Sequence, residues 1–204
     1  MASAITDVES LREVVGEPRS ESATKGYNFL DVHAKRFLSL CPFLCLGTTS
    51  VDGKADVSPR GDPPGFVKVL DDRTILIPER PGNRRADSMQ NLLENPPVGI
   101  VAFLPGVDET LRMNGRGSVT SDPELLAGTE VRGKAAKYGV VVELEEVFFH
   151  CGKAIIRSDL WGGQYQIERS EFPRLAEILR DQNWGDDIDK IQQTIDESYR
   201  NRLY

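Results

Sequence analysis

Apolar and polar positions along the chain fall into two periods. Over Asp7–Val15 the apolar residues sit at 8, 11, 14 and 15, one stripe of a helix, and Gly16 and Pro18 end it. Glu17 to Lys25 is polar and small and reads as a loop or arm. A second helix is predicted over Asp31–Leu40, with Phe29, Leu30, His33, Phe37 and Leu40 near one face and Pro42 as its stop. The pattern then shortens to strands. Phe43–Thr49 is an apolar run, Asp52-Gly53 is a hairpin turn, and Ala55–Ser58 returns. Pro59–Gly65 is too rich in Pro and Gly for a regular strand and is expected to be a loop. Phe66–Val69 and Thr74–Ile77 form a second hairpin about Asp71-Asp72. A helix is predicted over Ala86–Glu94, then strands over Val98–Leu104, Thr110–Val119 and Tyr138–Cys151. Asp122 and Pro123 start a short helix between the last two strands. Two further helices are expected, one around Phe172–Leu179 and one over Ile188–Tyr199.

Six or seven short, hairpin-joined strands with one inserted helix favour a closed or nearly closed antiparallel barrel over a parallel α/β sheet. The fold class is therefore mainly β with added helices. One domain is expected: a helical arm over 1–40, a barrel over 41–165 and a helical extension over 166–204.

Composition narrows the function. The 204 residues are 39% hydrophobic and 28% charged, as in an ordinary globular protein. A net charge of −7 and a pI of about 5.0 argue against nucleic acid as a partner. Lys54–Arg85 reverses the sign, with seven Lys/Arg against five Asp/Glu. The last stretch, from Glu168 on, is acidic, nine against six. A local positive patch on an acidic protein suits a small anionic ligand. No signal-peptide pattern opens the sequence and no apolar run is long enough for a membrane span. Three cysteines do not suggest a disulfide framework, so a cytoplasmic setting is the default expectation.

The candidate chemistry centres on Pro78-Glu79-Arg80-Pro81-Gly82-Asn83-Arg84-Arg85, where a strand is expected to turn into a helix. Helix starts carry unpaired N–H groups and a positive dipole end. Asn83 is the predicted N-cap, and Arg84 and Arg85 are expected in the first helical turn. Cations there are disfavoured by about 0.3–1 kcal/mol each, so Arg80, Arg84 and Arg85 make most sense around a dianion such as a phosphate monoester. The competing reading is an exposed basic turn paired with Asp87 or Glu79. Neither His150-Cys151, whose side chains alternate across a strand, nor Cys41, Cys45 and Cys151 suggest a catalytic dyad or a metal site. His33 reads as structural.

Four motifs carry a resemblance. They are Ala55–Phe66 (ADVSPRGDPPGF), Leu76–Arg85 (LIPERPGNRR), Pro105–Gly115 (PGVDETLRMNG) and Phe148–Trp161 (FFHCGKAIIRSDLW). In their order the chain resembles the pyridoxamine 5'-phosphate oxidase-like family of FMN-binding split barrels. The resemblance implies a homodimer with FMN at its interface. It implies that Asn83, Arg84 and Arg85 grip the FMN phosphate, and that Ser58, Pro59 and Arg60 run along the ribityl chain and ring edge. It places Thr110 near the flavin, and Lys153, Arg157 and Trp161 in a region that partner subunits often contribute. Arg60 and Lys153 are candidates to stabilise reduced flavin. The chain lacks the Arg-x-His substrate signature of the oxidase, and Trp161-Gly162-Gly163-Gln164 stands where Trp-Asp-Pro is expected. FMN binding is thus implied more strongly than vitamin B6 oxidation. The resemblance implies an FMN-dependent oxidoreductase acting on a small molecule. The alternatives are a non-catalytic flavin- or haem-binding store or sensor, a deazaflavin-dependent reductase, and a flavin-free scaffold.

Overall fold

The structure, a computed structural model, describes residues 4–18 and 26–204. The greater part of the expected arm at 17–25 lies outside them. Helix α1 (Val8–Val15) is capped by Asp7, whose carboxylate accepts from the Ser10 amide, and it buries no side chain. Helix α2 (Val32–Leu40) is capped by Asp31 in the same way. Its Ala34, Phe37 and Leu38 enter the core, where Phe37 meets Phe149 edge-on at 5.7 Å.

Seven strands follow: β1 (Phe43–Thr49), β2 (Ala55–Gly61), β3 (Lys68–Asp71), β4 (Thr74–Pro78), β5 (Pro97–Phe103), β6 (Thr110–Thr120) and β7 (Gly139–His150). Helix α3 (Asp87–Glu94) lies between β4 and β5, and the single turn α4 (Pro123–Leu126) between β6 and β7. After β7 come α5 (Lys153–Arg157), α6 (Leu175–Asp181) and α7 (Ile188–Asn201), the last two packed on each other. All pairings are antiparallel, in the order β2-β1-β5-β6-β7-β4-β3. This is the expected split barrel. Alternate side chains of each strand fill its interior: Leu44 and Leu46 from β1, Ile75 and Ile77 from β4, Ile100 and Ala102 from β5, Leu111 and Met113 from β6, Val140 and Val142 from β7. Among the described residues no helix is long and apolar enough to cross a membrane.

The sheet does not close by backbone pairing. β2 and β3, consecutive in the chain, are its two edges. β2 is also longer than expected: it runs through Pro59 and Arg60 to Gly61, where the composition predicts a loop. Proline is tolerated there because an edge strand has one side on which no ladder bond is required.

Helix α3 is pinned onto this barrel. Asn91 donates to the Thr48 hydroxyl and Asn95 to the Thr49 carbonyl, both on β1. Leu92 presses so close to β6 that a Cβ on Gly117 would lie 2.9 Å from it. Opposite Asn114 and Gly115 the register shifts by one residue, Glu145, a bulge that bends β7 against β6. At Gly115 a Cβ would stand 2.1 Å from the Glu143 carbonyl oxygen. Gly115→Ala is therefore expected to force the two strands apart and cost about 1–3 kcal/mol, read as a lower urea midpoint at unchanged m-value.

Candidate functional site

A cleft of about 1110 Å³ opens where the sheet fails to close. Its walls are the end of β2, the turn from β4 into α3, the first turn of α3 and the 134–138 segment before β7. That volume lies just above the range typical for small-molecule sites, about 300–1,000 Å³.

Two ion pairs cross the open seam. Arg60 at the end of β2 meets Glu79 just past β4, Nε to Oε1, at 2.5 Å. Arg80, the next residue, reaches back to Asp62 with Nε 2.6 Å from Oδ2. Both pairs are largely withdrawn from water, with the Asp62 side chain only 2% exposed. Burial raises the Glu79 carboxyl above the ordinary glutamate value, and the Arg60 guanidinium pulls it part of the way back. Arg60 also donates to the Ser58 hydroxyl and the Pro59 carbonyl, and Arg80 to the carbonyls of Thr129 and Lys134.

These contacts correct two expectations. Arg80 does not converge with Arg84 and Arg85 on an anion, because its guanidinium is already engaged by Asp62 and two carbonyls. The competing pairing of the basic turn is realised in part, at Arg85, whose Nε lies 2.8 Å from Asp87. Glu79 goes to Arg60 instead.

The turn itself differs from a capped helix start. Asn83 is not the N-cap; its Oδ1 accepts from the Arg85 amide in a local Asx turn. Arg84 and Arg85 precede the helix, and the cap is Ala86, which offers no side-chain acceptor. Arg84 at φ 64° and Ala86 at φ 56° are both left-handed. Such a residue without glycine's freedom costs about 1–2 kcal/mol, so strain is concentrated in this turn. The consequence is an uncapped helix start, with the free N–H groups of Asp87, Ser88 and Met89 beside the cleft and two exposed guanidinium groups at its mouth. Ser88 is buried and donates to Asp56 Oδ2.

Ser58, Pro59, Arg60, Arg80, Asn83, Arg84 and Arg85 all line the cleft. Thr110, Lys153, Arg157 and Trp161 do not. Thr110 is buried at the start of β6, paired with His150 at the end of β7. Lys153 and Arg157 are exposed on α5, and Trp161 donates from Nε1 to the Val107 carbonyl at 2.9 Å. Three cleft residues carry no expectation from the sequence: Lys134, Lys137 and Tyr204. The density of cations in Arg132–Lys137 is a signal for the first two. Among the described residues, Arg84, Lys134 and Lys137 meet no carboxylate at ion-pair distance. No three His, Cys, Asp or Glu side chains among the described residues form a metal-ligand cluster.

The sequence profile described as pyridoxamine 5'-phosphate oxidase matches residues 30–154. No curated relative matches the chain. Among solved structures the chain is similar to HupZ of Group A Streptococcus, at 14% identity and TM-score 0.49, over 59% of this chain and 93% of that one. It is similar to a candidate pyridoxamine 5'-phosphate oxidase from Lactobacillus delbrueckii, at 24% identity and TM-score 0.47, over 61% and 99%. A third is an FMN-binding protein from Syntrophomonas wolfei, at 13% identity and TM-score 0.41, over 56% and 80%.

The arginines separate by environment. Arg80→Ala leaves the Asp62 carboxylate buried without its partner and is expected to cost about 3–5 kcal/mol of unfolding free energy. Arg84→Ala, at an exposed position, should change stability by less than about 0.5 kcal/mol. Urea titration of the two variants beside the wild type measures both.

Proposed function

The chain belongs to the pyridoxamine 5'-phosphate oxidase family, and from that premise we propose that the cleft binds FMN and that the protein is an FMN-dependent oxidoreductase acting on a small molecule. The observation that carries the reading is the strained turn at Arg84–Ala86. It holds two guanidinium groups and the uncapped start of α3 at the mouth of a cleft large enough for a flavin. Unpaired N–H donors, a positive dipole end and exposed arginines are what a phosphate monoester dianion requires. Lys134 and Lys137 add positive charge on the opposite wall.

In this reading Arg84, Arg85 and the amides of Asp87 and Ser88 hold the phosphate. Ser58, Pro59 and Arg60 lie along the wall the rest of the cofactor would follow. The flavin supplies the redox chemistry when bound; the chain supplies binding, orientation and electrostatics. Arg60 is already committed to Glu79, so its charge near the ring would be largely neutralised. Lys134 and Lys137, without carboxylate partners, are better placed to favour an anionic ligand state.

FMN and riboflavin differ only in the phosphate, so they test the reading directly. FMN should bind the wild type at least about tenfold more tightly than riboflavin, the equivalent of about 1.4 kcal/mol. Arg84→Ala and Arg85→Ala should each erase most of that difference and leave riboflavin affinity unchanged, by fluorescence titration. Equal affinity of the wild type for both flavins would remove the proposed site.

We take the partner to be a second copy of this chain. Val57, on edge strand β2 beside the cleft, is 69% exposed, and Phe43 on neighbouring β1 is 39% exposed. A second copy covering this face would shield them, and could bring Thr110, Lys153, Arg157 and Trp161 to a cleft that their own chain does not let them reach. Sedimentation should give a dimer, and Val57→Asp should shift it toward monomer and weaken FMN binding.

A further inference from the structure

One part of the cleft has an occupant from the chain itself. Tyr204, three residues beyond the end of α7, lies with its ring between two guanidinium groups, Arg80 at 5.6 Å and Arg132 at 5.2 Å from the ring centre. Both distances are within the ~6 Å over which a cation attracts an aromatic face. The Tyr204 main-chain oxygen accepts from Lys134 Nζ at 2.7 Å. Its phenol is raised above the ordinary tyrosine value by burial first, and then by the Asp62 carboxylate next to it. Asp62 is the most enclosed acid of the site, and its Oδ1 is buried without a hydrogen-bond partner among the described residues.

The walls of this slot do not depend on the ring inside it. Arg80 is fixed by Asp62 Oδ2 and by the carbonyls of Thr129 and Lys134. Arg132 sits in a two-residue turn, φ 51° there and 75° at Gly133, closed by mutual backbone bonds between Val131 and Lys134 at 3.1 and 3.0 Å. That is the pattern of a rigid type I′ hairpin. A slot with cationic faces, a buried acceptor at its floor and the Lys134 ammonium at its rim is complementary to more than one tyrosine.

We propose that the slot between Arg80 and Arg132 is a binding subsite for a phenolic carboxylate, with Tyr204 as its built-in occupant. The ligand ring takes the place of the tyrosine ring between the guanidinium groups. Its hydroxyl donates to Asp62 Oδ1, satisfying the one buried acceptor left open. Its carboxylate takes the place of the Tyr204 main-chain oxygen on Lys134. Tyr204 is an intramolecular competitor, present at an effective concentration on the order of millimolar. The subsite goes beyond the flavin reading and stands independently of it.

The test uses the full chain and two probes that differ by one hydroxyl, 3-(4-hydroxyphenyl)propionate and 3-phenylpropionate, followed by calorimetric titration. Tyr204→Ala should bind the phenolic probe saturably, at least about tenfold more tightly than the wild type does. The same variant should bind 3-phenylpropionate at least about tenfold more weakly, because that ring leaves Asp62 unpaired. Adding Arg132→Ala, an exposed change, should weaken the phenolic probe again. The proposal fails if Tyr204→Ala shows no saturable binding, if the two probes bind it equally, or if the variant and the wild type do not differ.

Discussion

The site depends on how the sheet is kept from closing. Backbone ladders run from β2 across to β3 and stop, and Arg60–Glu79 and Asp62–Arg80 tie the end of β2 to the segment that follows β4. Side-chain pairs hold the end of β2 and the chain after β4 at a separation set by the reach of an arginine rather than by the ~4.8 Å of a strand pair. Ions withdrawn from water are a poor source of stability by themselves, since desolvation offsets much of their attraction. What they supply is a fixed gap, and the cofactor-sized space follows from it.

Around that gap the structure divides its cations by task. Arg60 and Arg80 are half-buried, paired and architectural. Arg84, Lys134 and Lys137 are exposed or rim groups with no Asp or Glu at ion-pair distance among the described residues. Arg85 stands between, its pair with Asp87 lying in water, where such a contact contributes little. Sequence proximity hides the division, because Arg80 and Arg84 are four residues apart and chemically alike.

Much of the fold was legible because strand alternation and hairpin turns are local. Leu44 and Leu46, Asp52-Gly53, and Val140 and Val142 announce their elements without help from distant residues. Pro59 misled because a rule about ladder interiors was applied to a strand whose edge position only the topology reveals. Asn83 misled because the cap position depends on the backbone angles of Arg84 and Ala86, and left-handed arginine or alanine has no signature in composition. The site was legible as a place, since the motifs at Ser58–Arg60 and Asn83–Arg85 do meet. The role of Arg80 was not, because its partners lie 18 and 49 residues away in sequence. Tyr204 was invisible for the same reason, its anchor on Lys134 being 70 residues distant.

Pro59 has one more effect on the molecule. An outermost strand normally presents an unbroken row of amide hydrogens and carbonyls, onto which a stray chain can add. Replacing one of those hydrogens by a pyrrolidine ring spoils the register for any intruder lying alongside β2. The barrel can thus keep an unsealed rim for its ligand without inviting fibrous growth from it.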